Sequence, residues 1–272
     1  MDTKVIKEDL IYLYCITDKV PNLKETENLV TNSYFIYYQG LYAVVNKVKE
    51  SEFAEENLKR NLADFEWIKV RVTIHEKVIE VIMKKAGVIP FKFATLFNAE
   101  DNLKAMFSKN LREFRDILRK LKYKEEWGVK IYCDLEKLKE VIIREDGEIL
   151  DIDKGINGST APGRAYLLKK KKEELLNIAA NKKLNEYGEM SFARLREMPG
   201  EARINKLLSK EVTERKEEMI LNSAFLIDKN KVAEFLNAVE GLKTRYADKG
   251  LFFDCTGPWP PYNFCDLLKE EA

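Results

Sequence analysis

The order of the predicted strands and helices constrains the fold of this chain most. Three β-rich runs come first, and Ser33–Val48 is broken by Gln39-Gly40 in the manner of a hairpin. Helical stripes then alternate with further strands, since apolar residues recur at steps of three or four within Trp67–Val81 and Leu103–Leu121. Strands that cluster early and then alternate with helices favour an α+β, ferredoxin-like layer over a long parallel sheet.

The remaining predicted elements complete this alternation. The first of the three early runs is Leu10–Thr17, and further strands are predicted at Val88–Phe97, Glu126–Asp134, Met219–Asp228 and Gly250–Cys255. The last two of them enclose a helix, so the end of the chain repeats the β-α-β order of Val88–Asp134. Ser51 and Asn98 are predicted to cap the helices that follow them, because short polar side chains can accept hydrogen bonds from free helix amides.

Two domains are predicted, since a chain of 272 residues with 45% hydrophobic residues can bury a substantial core. The segment Arg144–Gly163 is rich in Gly, Asp, Asn and Ser, which is typical of a domain boundary. Residues 1–145 are predicted to form a ferredoxin-like α+β domain with an antiparallel sheet. Residues 146–272 are predicted to form an α+β domain with long helices, a small sheet and a final GPWPPYNF segment.

Composition and charge exclude several classes of protein. The chain has 47 Lys and Arg against 46 Asp and Glu, and the resulting net charge of +1 argues against an extended nucleic-acid-binding face. No apolar run has the length of a membrane-spanning helix, and the N-terminal sequence does not resemble a secretory signal. The four cysteines form no C-x-x-C pair, so we expect free, buried thiols in a reducing cytoplasm.

His75 is the only histidine, and it begins the sequence HEKVI. A zinc-binding H-E-x-x-H helix would need a second histidine at position 79, where this chain has Ile79. A zinc protease of this type is therefore excluded. We expect His75 to lie beside the buried stripe of its helix, and we expect neither a metal nor a cofactor.

The sequence GSTAPGRA at Gly158–Ala165 resembles a phosphate-binding loop. Arg164 replaces the usual lysine and Ala165 replaces the hydroxyl residue that binds magnesium. A linker that leads into a helix starting near Pro162, capped by Ser159 or Thr160, explains the same residues. An enzyme or nucleotide-binding protein that uses the Gly158–Arg164 loop is the alternative function.

The run Lys169–Lys172 is expected to form a solvated helix face, because successive residues spread around a helix. The sequence contains no G-x-S-x-G, kinase or G-x-G-x-x-G motif. No catalytic, cofactor-binding or metal-binding residue is therefore predicted, and the protein is expected not to be an enzyme.

The chain resembles the gas vesicle protein family GvpF/GvpL along nearly its full length. The segments that carry the resemblance, in order, are GLYAVVNKV at Gly40–Val48, EFAEENLKRNLADFEWIKVRVTIHEKVIE at Glu52–Glu80, VIPFKFATLF at Val88–Phe97, EEWGVKIYCD at Glu125–Asp134, PGRAYLLKKK at Pro162–Lys171 and FDCTGPWPPYNF at Phe253–Phe264. Their order and spacing together are more specific than any one of them.

This resemblance implies a cytoplasmic accessory protein associated with gas vesicles. It implies that the chain binds the hydrophobic major shell protein and other gas vesicle accessory proteins, and that it assists vesicle assembly in a chaperone-like or structural role. It implies no enzyme activity, cofactor, nucleic acid or membrane span. A shell subunit with an apolar surface would aggregate unless that surface were covered before polymerisation.

The terminal segment GPWPPYNF contains three of the seven prolines, Pro258, Pro260 and Pro261. It directly follows a predicted strand, with Gly257 as the break, so it differs from a proline-rich ligand in a disordered tail. We expect it to fold back onto the protein body. Trp259 and Phe264 are predicted to be largely buried there.

Overall fold

The computed structural model describes residues 9–198 and 200–265, and it confirms the predicted α+β class. The strands, in chain order, are β1 Asp9–Thr17, β2 Tyr34–Tyr38, β3 Leu41–Lys49, β4 Val88–Pro90, β5 Leu96–Phe97, β6 Lys124–Cys133, β7 Glu201–Ile204, β8 Glu218–Asp228 and β9 Leu251–Trp259. The helices are α1 Glu50–Phe53, α2 Glu55–Asn61, α3 Phe65–Met83, α4 Glu100–Leu121, α5 Leu135–Glu145, α6 Gly147–Asn157, α7 Pro162–Leu195, α8 Lys210–Thr213 and α9 Val232–Arg245.

The contacts divide the chain into two compact units. The first unit contains the described residues up to Glu125 together with Pro258–Cys265, and the second unit is Glu126–Gly257. That residues 1–145 and 146–272 form two separate domains stays a prediction. The terminal GPWPPYNF segment, apart from its glycine, belongs to the first unit.

The sheet of the first unit has the order β2-β3-β1-β4, and β5 also pairs with β1. All of these pairs are antiparallel. This is the strand order of a ferredoxin-like βαββαβ motif. The connection between β1 and β2 departs from that motif, because residues 18–33 contain only a 3₁₀ turn, Leu23–Glu25, where the motif has a helix.

The β2–β3 hairpin confirms the predicted turn at Gln39-Gly40. Gln39 has φ +46° and Gly40 has φ +88°. Two successive residues with positive φ match the right-handed twist of the strands they join.

The predicted strand Val88–Phe97 is wrong in its middle. β4 pairs with Thr17–Cys15 of β1, and β5 pairs with Tyr12 and Ile11, so residues 91–95 lie opposite only two residues of β1. Backbone hydrogen bonds hold the bulge at both ends, from Phe91 N to Tyr14 O at 2.9 Å and from Leu13 N to Thr95 O at 2.9 Å. An extra loop in an edge strand leaves the apolar pattern intact, which is why the sequence predicted one continuous strand.

The predicted helices are confirmed as α3 and α4, although Val70 of the predicted α3 stripe is 54% exposed, and the predicted caps are wrong. Ser51 lies inside the short helix α1, and α3 is capped by Asp64, whose carboxylate accepts hydrogen bonds from Glu66 N and Trp67 N. The N-cap residue of α4 is Ala99, one position after Asn98. Helix ends depend on local backbone geometry, so a suitable residue type nearby does not locate them reliably.

The sheet of the second unit has the order β7-β8-β6-β9. Helices α5 to α7 connect β6 to β7, and α9 connects β8 to β9. The second unit therefore has the same βαββαβ strand order as the first, with its first crossover fully helical. The β-α-β order of Val88–Asp134 is not repeated as a topology at the end of the chain, because β4 and β6 belong to different sheets, whereas β8 and β9 belong to the same sheet.

Part of the predicted linker Arg144–Gly163 is a helix. Residues 147–157 form α6, and Asp146 caps it by accepting hydrogen bonds from Glu148 N and Ile149 N. Ile149 and Ile152 are buried, so an apolar stripe is present despite the polar composition. The next helix, α7, starts at Pro162 as predicted, but its N-cap is Ala161 and not Ser159 or Thr160.

Gly257 in β9 gives a stability prediction. Its φ is +151°, and a Cβ atom there would lie 2.9 Å from the carbonyl oxygen of Glu126 and 2.9 Å from Cδ2 of Trp127. We expect Gly257→Ala to lower the free energy of unfolding by about 1–3 kcal/mol, measured by urea denaturation, because the backbone is strained and a backbone atom blocks the methyl group.

Gly241→Ala is the matched control. Gly241 lies in α9, and among the described residues no atom beyond the neighbouring backbone of that helix lies within 4 Å of the position that an added methyl group would take. Alanine is favoured in a helix, so this change should raise the free energy of unfolding by about 0.5–1 kcal/mol. Equal effects of the two substitutions would contradict the strain assigned to Gly257.

Candidate functional site

The first unit contains an open cleft of about 800 Å³. We call it the cleft. Its lining comes from the sheet, the connection between β1 and β2, α1 and α3, and the bulge between β4 and β5. The lining residues are Asp9, Tyr12, Tyr14, Leu29, Val30, Thr31, Asn32, Tyr34, Asn46, Lys47, Val48, Lys49, Glu52, Phe53, Arg71, Ile74, Phe93 and Glu100. A cavity of this size can hold a ligand or part of a peptide.

Aromatic side chains form much of the cleft wall. The ring centroids of Tyr12 and Tyr14 are 4.8 Å apart, and Tyr12 also meets Phe53 edge-on at 5.6 Å. Phe93 contacts Tyr12 from the bulge at 6.2 Å. Tyr12, Tyr14 and Phe53 are only 3–5% exposed, so these rings form a rigid floor, and the partly buried Phe93 offers more of its surface to the cleft.

The charges around the cleft are balanced. Three carboxylates and three cationic groups line it, namely Asp9, Glu52, Glu100, Lys47, Lys49 and Arg71. Arg71 donates to Glu52, with 2.7 Å between Nη2 and Oε2. Both side chains are well exposed, so this ion pair contributes little stability and can rearrange. The balance of charge disfavours a highly charged ligand.

Tyr34 has a buried hydroxyl oxygen without a hydrogen-bond partner among the described residues. Burial raises the pKa of this tyrosine, and the nearby Glu100 carboxylate raises it further. The hydroxyl therefore stays protonated at neutral pH, and it can both donate and accept. An unpaired buried polar group costs about 1–3 kcal/mol, so a group entering the cleft would gain by bonding to it.

His75 lies behind the cleft and is 1% exposed. Its Nε2 is 3.0 Å from the carbonyl oxygen of Phe91, which can only accept, so Nε2 carries the proton. Its Nδ1 is 2.9 Å from the hydroxyl of Tyr12 and accepts from it. The same Tyr12 oxygen accepts from Ala94 N at 3.0 Å. One imidazole thus joins α3, β1 and the bulge.

Tyr262 connects the terminal segment to the same histidine. Its hydroxyl donates to Oε1 of Glu76 at 2.9 Å, and its oxygen lies 3.1 Å from Nε2 of His75. Tyr262 also packs against the apolar cluster that includes Val78 and Ile79 of α3. The prediction that the segment folds back is confirmed for Tyr262, whose contacts are with α3 of the first unit.

The two predicted burials in that segment have different outcomes. Phe264 is 0% exposed, as predicted. Trp259 is 44% exposed, so its predicted burial is wrong. The predicted break at Gly257 is wrong as well, because β9 continues to Trp259 and positions the indole at an exposed strand end.

Burial controls the charges of this polar cluster. Desolvation lowers the pKa of His75 to about 4, although the hydrogen bond to Phe91 opposes the shift. Desolvation raises the pKa of Glu76, and the hydrogen bond from Tyr262 partly offsets it. The histidine is neutral at physiological pH, and its hydrogen bonds serve structure. This agrees with its predicted place beside the buried helix stripe.

The other residues considered from the sequence lie in the second unit. The Gly158–Arg164 segment follows helix α6, whereas a phosphate-binding loop follows a strand, and Arg164 is exposed in the first turn of α7. Within Lys169–Lys172, Lys171 pairs with Glu148 and Lys172 with Asp153, and both partners belong to α6. The lysine run, which was expected to be a solvated helix face, therefore also connects α7 to α6 through ion pairs.

The groups that the described residues bring together also limit the class of site. Among these residues, no group of three or more His, Cys, Asp and Glu side chains is placed to hold a metal ion. No helix in the described part of the chain is long and apolar enough to cross a membrane. Of the four free cysteines, Cys15 and Cys133 are buried as expected, whereas Cys255 and Cys265 are only partly buried.

Sequence reasoning missed the cleft and the residues that line it. Tyr34 and Asn46 appeared only as parts of β-rich runs, and Arg71 only as a polar position of a helix. Asn46 follows the apolar run Ala43–Val45 in β3 and precedes Lys47, so the sequence around it held only a weak signal, yet it is 7% exposed. It accepts from the Tyr14 hydroxyl at 3.2 Å.

Known gas vesicle proteins are similar to this chain in sequence and in fold. The family model described as "Gas vesicle synthesis protein GvpL/GvpF" matches residues 10–266. Gas vesicle protein L of a Streptomyces species is 23% identical over 85% of this chain and 82% of its own length. Gas vesicle protein L1 of Halobacterium salinarum is 24% identical over 93% and 89%. The crystal structure of GvpF from an Anabaena species shares the fold, with a TM-score of 0.69, 18% identity, and 96% of this chain and 100% of that chain covered.

His75 gives a prediction of pH dependence. Because it is the only histidine, its ring gives a single set of NMR signals. Its folded-state pKa is about 4 against an ordinary value of 6.5, so we expect no titration of these signals in the folded protein near pH 6.5. As pH falls below 6.5, the unfolded state binds a proton first, and stability should fall by up to about 1.4 kcal/mol per pH unit.

The variant His75→Gln provides the comparison for this slope. The raised pKa of Glu76 acts in the opposite direction, because its contribution to stability is present at low pH and is lost as pH rises. The difference between wild type and variant therefore isolates the histidine. Histidine signals that titrate near pH 6.5 in the folded protein would contradict the buried, neutral assignment.

Tyr262→Phe tests the attachment of the terminal segment. This change removes the donor to Glu76 and one partner of His75, and we expect a loss of about 1–3 kcal/mol in the free energy of unfolding. Tyr123→Phe is the control, since Tyr123 is exposed and should change stability by less than about 0.5 kcal/mol. A Tyr262→Phe variant as stable as the control would show that the hydroxyl does not hold the segment.

Proposed function

The chain belongs to the gas vesicle protein GvpL/GvpF family, and from that premise we propose that it is an accessory protein that binds the hydrophobic shell protein and assists gas vesicle assembly. We further propose that it acts without catalysis, that it is cytoplasmic and associated with the vesicle, and that it also meets other gas vesicle accessory proteins. The aromatic cleft of the first unit is the observation that carries this proposal.

The physical need for such a protein follows from the chemistry of a gas vesicle shell. A subunit that presents an apolar surface to a gas space has no stable soluble form while that surface meets water, and it aggregates before it can be assembled. A binding protein can prevent this by offering an apolar surface that releases the subunit later. In the complex, the apolar surfaces of both proteins are then removed from water together.

The cleft suits an apolar peptide segment better than a charged ligand. Its partly buried apolar lining, with Val30, Ile74 and Phe93 over a floor of buried aromatic rings, can contact aliphatic or aromatic side chains. Because its positive and negative charges are equal in number, the cleft does not select for a charged segment. The unpaired hydroxyl of Tyr34 and the amide of Asn46 can bond to the backbone of the segment, whose polar groups would otherwise be buried without partners.

A charge placed in the cleft should abolish binding. Val30 lines the cleft from the connection between β1 and β2. We expect Val30→Glu to lose co-purification with the shell protein when the two are co-expressed, because a buried carboxylate cannot be solvated in an apolar complex. Pull-down through a tag on this chain, followed by quantification of the shell protein in the soluble and bound fractions, measures the effect.

Val20→Glu is the matched control, because Val20 is 66% exposed and does not line the cleft. It should retain wild-type binding. Tyr34→Phe should weaken binding several-fold, since it removes only the hydroxyl. It replaces Val30→Glu as the test of the cleft if that variant does not fold. If wild type neither co-purifies with the shell protein nor changes its solubility, the proposed function is wrong. If it does and all three variants behave like wild type, the cleft is not the site.

A further inference from the structure

The second half of α4 presents a basic surface, and we propose that it binds an acidic helical segment of a partner protein. Its central residues are Arg112, Arg115 and Arg119, which we call the arginine stripe. All three are exposed. The stripe shares no residue with the lining of the cleft, so this inference goes beyond the proposed function.

The spacing of the arginine stripe places the three guanidinium groups on one side of the helix. Steps of three and four residues keep side chains on the same face. Seven residues of an α-helix rise about 10.5 Å, so the stripe reaches over two turns. A shallow groove of about 560 Å³ runs along it, and its other lining residues are Ser108, Lys109, Leu111 and Asp116.

The charge of this surface is strongly uneven compared with the rest of the chain. Residues 109–124 contain seven Lys and Arg but only two acidic residues, Glu113 and Asp116. The whole chain has a net charge of only +1. The rest of the sequence is therefore slightly acidic overall, although a second basic run, Arg164 with Lys169–Lys172, lies on α7. Such a patch attracts acidic partners selectively.

The existing contacts of the stripe leave its donors available. Arg115 donates from Nη2 to the carbonyl oxygen of Gln39 at 2.7 Å. This hydrogen bond fixes one edge of the guanidinium group, and the N–H groups on its other edges can still bind a ligand. Arg119 pairs with Asp116 at 3.1 Å, and both are exposed, so the pair is weak. Arg112 has no ion pair with any residue that the structure describes.

Arginine chemistry favours carboxylates as the ligand. A guanidinium group binds a carboxylate with two parallel hydrogen bonds, and this geometry is stronger and more specific than a single lysine contact. A partner helix with acidic residues at steps of three and four would present carboxylates at the same intervals as the stripe. Its aligned charges would then meet all three arginines at once.

A nucleic acid fits this surface less well. Glu113 and Asp116 lie among the basic residues and would repel a continuous phosphate backbone. The nearly neutral chain also lacks the long-range positive field that typically brings a polyanion to its binding face. An acidic protein segment can place neutral residues opposite these two carboxylates, whereas a phosphate backbone cannot.

The test uses the full chain and a designed peptide. The probe is a fluorescein-labelled helical peptide with Glu at steps of three and four, and binding is followed by fluorescence anisotropy. We expect the triple variant Arg112→Gln, Arg115→Gln, Arg119→Gln to bind at least ten-fold more weakly than wild type. We also expect a smaller salt dependence in the variant, because it retains fewer ion pairs with the peptide.

A second triple variant controls for total charge. Arg164→Gln, Lys169→Gln and Lys170→Gln remove three exposed cations from α7, and this variant should bind like wild type. Circular dichroism checks that both variants fold. Arg112→Gln alone changes one exposed side chain of the stripe and provides a milder test with a smaller loss.

Three results would overturn the proposal. Equal losses in both triple variants would show a response to net charge alone. Tighter binding of a single- or double-stranded oligonucleotide than of the peptide would assign the stripe to nucleic acid. Self-association of wild type in sedimentation velocity that disappears in the stripe variant would assign it to a second copy of this chain.

Discussion

The buried imidazole of His75 is the interaction on which the first unit depends. It accepts from Tyr12 on the central strand β1, donates to Phe91 in the bulge, and contacts Tyr262 in the terminal segment. These partners are up to 187 residues away in sequence. Because the ring is almost fully buried, each of its polar atoms needs a partner inside the protein. The bulge and the terminal segment are therefore fixed together by one neutral side chain.

The position of the cleft follows from a difference between the two units. Both have a βαββαβ strand order, but the second unit fills its first crossover with α5 to α7. The first unit uses residues 18–33, which contain one 3₁₀ turn, and Leu29 and Val30 of that connection line the cleft. A helix in this position would pack on the sheet, since a sheet face needs cover. The shorter connection leaves the cleft open above the sheet, with Tyr12 and Tyr14 as buried residues of its floor.

The sequence predicted the elements well where local periodicity decides them. The helices α3 and α4, the α4 stripe and the Gln39-Gly40 turn depend on residues close together in the chain, and these predictions were correct. Predictions failed where distant residues decide. The bulge between β4 and β5 keeps an apolar pattern, and residues distant in sequence, among them Tyr12 and His75, stabilise it. The cleft depends on the same long-range packing, so no local pattern could locate it.

The two proposed surfaces make different physical demands on their partners. The cleft has balanced charges and an aromatic wall, so apolar burial supplies most of its affinity and salt should affect it little. The arginine stripe on α4 is exposed and basic, so its affinity comes from ion pairs and falls as salt rises. Both belong to the first unit, yet they share no lining residue. An apolar segment and an acidic segment can therefore bind without competing for the same side chains, and the salt dependence of each complex distinguishes which surface is engaged.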